Sequence, residues 1–380
     1  MTLSDQPSLL PPAPGDSLET TLRLALVPGV GPMTRKALLE HFGSSAAVLA
    51  AAPSELRRVP GVGPNLTRCI LAAGETVDVE AELQVCREHG VTILTDSDPE
   101  YPRLLKEIHN PPAVLFLRGD LKPDDALAIA IVGTRHATSY GRLQAERLAN
   151  GLARAGLTIV SGLARGIDAA AHHGALAAGG RTLAVLGGGV VNIYPPEHGE
   201  LADEIRQAGA VISENPPRFQ PKSGMFPQRN RLITGLSLGV IVVEAAERSG
   251  ALISAQHAME QGREVFAVPG RVDSRTSRGC HRLLRDGAKL VECVEDVLDE
   301  LGPLVAAAPR SDGRVVHHPA ELQLNDQERQ VLDAIESEPT SIDAVVTNSG
   351  LPIHRVLATI SVLEMRHLVR RVSGNLVSRV

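Results

Sequence analysis

Residues Arg218 to Arg231, "RFQPKSGMFPQRNR", hold four cations (Arg218, Lys222, Arg229, Arg231) and no acid, with Phe219 and Phe226 set among them. Rings are scarce here, since the chain has five Phe, three Tyr and no Trp. Arginine and lysine neutralise phosphates regardless of sequence, and an aromatic ring stacks on an unpaired base for about 1–3 kcal/mol. Rings interleaved with cations therefore suit a single nucleic-acid strand better than a duplex. Two more stretches join glycines to cations: "VGTR" (Val132–Arg135) and "SGLARGID" (Ser161–Asp168). The second leads from a β-branched run into a helical one, where N–H groups at a helix N-terminus hold an anion. "LGGGVVNIYPP" (Leu186–Pro196) repeats the glycine theme, as if backbone must approach a ligand closely.

The usual engines of catalysis are missing from this pattern. No GxGxxG opens a helix after a strand, so a nicotinamide or flavin site is weakly supported, and no GxxxxGK[ST] signals ATP hydrolysis. There is no GxSxG and no Cys/His pair at a strand end to supply a nucleophile and its base. The four cysteines (Cys69, Cys86, Cys280, Cys293) contain no CxxC and read as reduced thiols, not as a zinc site or disulfide framework. His172 and His173 sit in a small-residue helix and read as packing or surface residues. No cofactor, metal or catalytic residue is expected.

The elements that must position these residues follow from periodicity. From about Ala126, apolar β-branched runs ("ALAIAIVG", "LTIVSG", "RTLAVLGGG", "AVISE", "GVIVVEA", "EVFAVPG", "AKLVE") alternate with amphipathic helical stretches. That alternation predicts a Rossmann-like, doubly wound parallel sheet over residues 96–301, whose ligands bind beyond the carboxyl ends of the strands. Every stretch singled out above falls at such an end. Residues 18–95 read as a helical domain with two near-identical turns, "VPGVGP" at Val27–Pro32 and Val59–Pro64, of the SAM or helix-hairpin-helix kind. Acidic residues outnumber basic ones there, so the turns are expected to support packing more than to hold phosphates. Residues 302–323 are expected to be a linker. Residues 324–380 read as three helices and a hairpin, a winged helix, with six basic and seven acidic residues. That balance is a poor footprint for a DNA groove and favours protein contact. Residues 1–17 read as a flexible tail without the positive start and apolar core of a signal peptide. No apolar run reaches the ~18 residues needed to span a bilayer. The net charge of −6 argues against whole-surface attraction to nucleic acid while leaving a local basic site open.

With "IVGTR", "SGLARGIDAAAH", "AVLGGGVVNIYP", "FPQRNRLITGLS", "VVEAAERSGALISAQHAMEQGREVFAVPG" and "GCHRLLRDGAKLV" in order, the chain resembles the DNA-processing protein A (DprA, or Smf) family over about residues 100–300. The resemblance implies a cytoplasmic, non-enzymatic homodimer. It implies a protein that binds single-stranded DNA and loads the RecA recombinase onto it in natural transformation, with single-strand binding protein a further partner. Carried across, the DNA site would comprise Gly133 and Arg135, then Ser161, Gly162, Arg165 and Gly166, then Lys222, Phe226, Arg229, Asn230 and Arg231.

A rival reading is a nucleotide sensor, or a nucleotide phosphoribohydrolase of a related Rossmann-like superfamily, with Glu244 as its ligand-side carboxylate. The "PGGxGT" run of those enzymes is missing. For the homodimer, "RVDSRTSRGCHRLLR" (Arg271–Arg285) carries five arginines and one acid and is followed by acidic "ECVEDVLDE" (Glu292–Glu300). A two-fold axis could set these patches against each other, and they could equally form an ordinary solvated surface.

Overall fold

A computed structural model describes residues 16–221, 224–302, 308–311, 313–336 and 338–380. The chain divides into two compact units, one drawn from residues up to Leu121 with Ala184–Gly235, the other from Lys122–Leu183 with Leu236–Val380. The α/β region carries strands β1 (Thr92–Thr95), β2 (Val114–Gly119), β3 (Ala128–Gly133), β4 (Thr158–Ser161), β5 (Thr182–Val185), β6 (Ala210–Ser213), β7 (Gly239–Val243), β8 (Glu264–Ala267) and β9 (Lys289–Leu290). The chain passes from one unit to the other inside β5.

In the first unit, β1 runs antiparallel to β2 and β2 antiparallel to β6. Before them come the expected helices. Each "VPGVGP" turn closes on itself: Val30 N–H donates to Val27 (3.0 Å) and Val62 N–H to Val59 (3.1 Å). Val27, Val59 and Val62 are buried, and Pro32 and Pro64 each open a helix, where the missing N–H has no helical partner to lose. Most of the expected tail, residues 1–15, lies outside the described residues, but its end is tied down. Ser17 caps helix Leu18–Ala25, and the Asp16 carboxylate accepts from Ser45 and Ala46 N–H at 2.9 and 3.0 Å.

In the second unit the strands are parallel, in the order β4-β3-β7-β8-β9. β4 and β7 are buried along their length, as near-continuous apolar runs require when both faces are covered. Helices Ser139–Ala155 and Ile167–Ala177 join these strands in one apolar core.

The expected linker is more ordered than its composition suggested. β10 (Ala308–Pro309) and β11 (Val315–Val316) form an antiparallel pair. Ala308 and Val316 cluster with Leu127, while Arg310 donates to the Gly156 carbonyl (2.9 Å) and pairs with Asp124 (3.0 Å). Burial of small apolar groups and one shared arginine thus fastens a Pro- and Ala-rich segment to the sheet region. Beyond it, helices Asp326–Asp333, Ile342–Ser349 and Ile353–Met365 pack with β12 (Thr340–Ser341), β13 (Val369–Ser373) and β14 (Leu376–Arg379), whose order is β12-β14-β13. This is the expected winged helix. Among the described residues no helix is long and apolar enough to cross a membrane.

Candidate nucleic-acid interface

The strand-end loops of the second unit are locked to each other. Gly166 ends the "SGLARG" loop at φ +79° and precedes helix Ile167–Ala177; a Cβ there would lie 2.3 Å from the Thr134 carbonyl and 2.8 Å from that of Arg135. Only glycine meets both the left-handed backbone and the close approach. Ile167 N–H donates to Thr134 (3.2 Å), closing the join. Gly133, Arg135, Arg165 and Gly166 therefore share one edge, with Arg135 and Arg165 exposed. Leu163 (φ +56°) and Glu244 (φ +51°) sit beyond β4 and β7 in the left-handed region that side chains disfavour. Such strained residues cluster where loops are held in place for function.

Two of the predicted residues are buried at the end of β4. Ser161 is fully buried and its hydroxyl donates to the Ile131 carbonyl (2.6 Å); Gly162 is buried too. The helix N-terminus here carries its own acid, since the buried Asp168 carboxylate accepts from Ala164 N–H (3.3 Å). A carboxylate in the first helical turn lies favourably at the positive end of the dipole, where the sequence reading expects an anion. His172 is buried with Nδ1 2.7 Å from the Thr182 hydroxyl, and His173 is exposed.

Glu244 is bonded within its own unit. Its two carboxylate oxygens accept from the Thr138 N–H (2.8 Å) and hydroxyl (2.5 Å), holding the start of helix Ser139–Ala155. The rival phosphoribohydrolase needs this carboxylate turned toward a ligand, and these bonds turn it toward Thr138.

In the first unit the "GGG" turn receives the basic loop. Gly189 N–H donates to Phe219 and Val191 N–H to Pro217, each at 2.9 Å, and the Asn192 amide donates to Arg218. A Cβ on Gly189 would fall 2.1 Å from the Pro216 carbonyl, and one on Gly187 would fall 3.2 Å from the Phe226 ring. These glycines admit a neighbouring loop, where the sequence suggested a ligand. Phe226, half-buried, is the second residue of helix Met225–Gly235 and lies against Gly187 and Tyr194, whose ring centroid is 5.7 Å away at 41°. Tyr194 is 42% exposed. The sequence reading passed over it, although it is one of three tyrosines and ends a strand-end glycine motif.

The loop's cations divide by role. Arg218 is exposed and 3.5 Å from Glu88. Arg229 is buried and donates to the Val185 carbonyl, while its Nε is 3.3 Å from the half-buried Asn230 amide oxygen. Arg231 is buried and donates to Glu214. Burial pushes the Glu214 carboxyl above the usual carboxylate range, against the opposing charge of Arg231. Lys222 lies outside the described residues.

Set beside known proteins, residues 92–302 match the family model described as DNA recombination-mediator protein A. The chain belongs to that family. Residues 316–375 match the DprA winged helix domain and 22–70 a SAM-like helix-hairpin-helix tandem. Protein Smf of Synechocystis is 34% identical over 92% of this chain and 95% of its own length. The X-ray structure of DNA processing protein A from Streptococcus pneumoniae is 36% identical over 75% of this chain and 98% of that one, with a TM-score of 0.66. A structure from Helicobacter pylori, described as giving insight into the single-stranded DNA binding mode of its DNA processing protein A, is 32% identical over 55% and 93%, with a TM-score of 0.50. The relatives are DNA-processing proteins with the same mixed α/β architecture.

Proposed function

We propose that this chain binds single-stranded DNA, shields incoming strands and loads RecA onto them in natural transformation and recombination, without enzymatic turnover of its own. The observation that carries the reading is the Phe226 ring, presented beside Tyr194 at the edge of a cation-bearing loop in a chain nearly devoid of aromatics. The H. pylori relative supports the choice of a single strand. Arg135 and Arg165, both exposed, are the phosphate contacts, and Gly133 and Gly166 hold their loops. Arg229, Asn230 and Arg231 brace the helix that carries Phe226, with Ser161 and Gly162 serving the β4 end from beneath. Lys222 is proposed as a further phosphate contact.

A homodimer through the second unit completes the proposal. Met259, Val272 and Leu290 are large exposed apolar side chains there, and Arg275 and Arg285 are exposed too. Sedimentation should give a dimer that a charge reversal within 292–300 weakens. An unchanged dimer would reject that pairing.

The deciding experiment compares oligo-dT with blunt duplex of equal length across a salt series. Tight oligo-dT binding that falls steeply with salt is expected, because neutralised phosphates release counterions. Equal affinity for duplex would sink the single-strand reading. RecA loading is read separately, as faster filament growth on DNA coated with single-strand binding protein. A protein that merely coats DNA would slow it.

A further inference from the structure

We infer that Tyr194 is a second base-stacking residue, so that this unit grips two consecutive unpaired bases, one on each ring. The inference rests on the single-strand reading above and adds a residue and a two-base footprint to it. The Tyr194 and Phe226 centroids are 5.7 Å apart and their planes are tilted by 41°. That tilt leaves no parallel slot for one base between the rings. The spacing exceeds the roughly 3.4 Å rise per nucleotide of a stacked strand. A strand drawn out from that stack can lay neighbouring bases on separate rings, while a duplex cannot.

Both rings are held to a common support. Tyr194 follows the "GGG" turn, which Gly189, Val191 and Asn192 bind to the Pro217–Phe219 backbone. Phe226 packs on Gly187 of the same turn. The Tyr194 hydroxyl has no hydrogen-bond partner among the described residues, in contrast to Tyr101, which donates to Pro112 (2.7 Å), and Tyr140, which donates to Pro269 (3.0 Å). Tyr101 is buried and Tyr140 is tied down although 48% exposed; Tyr194 is 42% exposed without such a tether among the described residues.

The test uses the full chain, labelled oligo-dT and an abasic oligonucleotide of equal length, with melting temperature as a folding control. Tyr194→Leu should weaken oligo-dT binding by about fivefold or more, the low end of the stacking range, and leave abasic binding unchanged. Tyr194→Phe should retain wild-type affinity, and Tyr194→Leu should still cost affinity when Phe226→Leu is already present. With no Trp to mask it, tyrosine emission should be quenched by oligo-dT in wild type and not in Tyr194→Phe. If Phe226→Leu weakens binding but Tyr194→Leu does not, this inference fails alone. It fails equally if the Tyr194 effect vanishes in the Phe226→Leu background, since the ring then only props Phe226. A wild type that does not bind oligo-dT overturns both this inference and the reading beneath it.

Discussion

Arg231 and Glu214 form an ion pair withdrawn from solvent, their side chains 8% and 20% exposed. The acid-free basic stretch Arg218–Arg231 therefore spends one of its cations inward, on the strand-end acid just before the loop. Removing one partner of a buried pair leaves the other uncompensated, at a cost of about 3 kcal/mol. Arg231→Met is expected to lose about that much in denaturant unfolding. Its pH dependence has a definite sign. Without Arg231, burial alone acts on Glu214 and its folded-state pKa stands further above the unfolded value. The folded state then holds more protons, so stability is present at low pH and lost as pH rises through the raised pKa. The deficit of Arg231→Met should be smaller at about pH 5 than at about pH 8. Equal deficits would mean that Glu214 is not the group responsible.

Exposed and buried arginines should separate in salt dependence. Arg135→Ala is expected to weaken oligo-dT binding and flatten the slope of log affinity against log salt by about 0.7, one phosphate contact for a single strand. Arg229→Ala, which loses a bond to the Val185 carbonyl, should lower thermal stability and leave that slope nearly unchanged. Equal flattening in both would place Arg229 on the DNA.

Glu244 gives a prediction of stability and one of inactivity. Glu244→Gln keeps the size of the side chain but removes the charge from both bonds to Thr138. Hydrogen bonds to a charged group contribute about 1.5–3 kcal/mol against about 0.5–1.5 for neutral ones, and the melting temperature should fall accordingly. Wild-type protein incubated with nucleoside monophosphates should release no free base. Release that disappears in Glu244→Gln would instead restore the phosphoribohydrolase reading.

The segment leading to the winged helix should be acid-sensitive at His318. This side chain is 5% exposed, and its Nδ1 accepts from Ala320 N–H (3.1 Å). Burial, with a smaller push from His367, holds its pKa below the usual histidine value. The unfolded chain therefore takes up its proton first as pH falls. The stability contribution is intact above the ordinary histidine pKa and is lost on acidification through the lowered one. Between about pH 8 and about pH 5, wild type should lose more melting temperature than His318→Asn, whose amide oxygen can still cap Ala320. Identical acid losses would remove His318 from the account.

Periodicity alone made the α/β region, the paired "VPGVGP" turns and the terminal winged helix legible. The first shows in continuous β-branched runs such as "GVIVVEA", the last in three helical repeats and a Ser373-Gly374-Asn375 turn. These are local signals, because burial on both faces of a strand, or on one face of a helix, is written into consecutive residues. The candidate aromatic and strand-end residues stand out locally too: Phe226 in a cation-rich stretch, Arg135 and Arg165 after β-branched runs. What a cation or a glycine faces is not local. Arg229 and Arg231 look like their exposed neighbours in the sequence, and only the packing of helix Met225–Gly235 turned them toward Val185 and Glu214. Gly187 and Gly189 look like a phosphate cradle, and only the return of the chain at Phe226 and at Pro216 set other segments against them. Asp168 and Ser161 were drawn inward by the same close packing, and Tyr194 gained its meaning when the turn that bears it met Phe226. Sequence sets each residue's chemistry and its local element; which groups lose water and which keep it depends on contacts between segments distant along the chain.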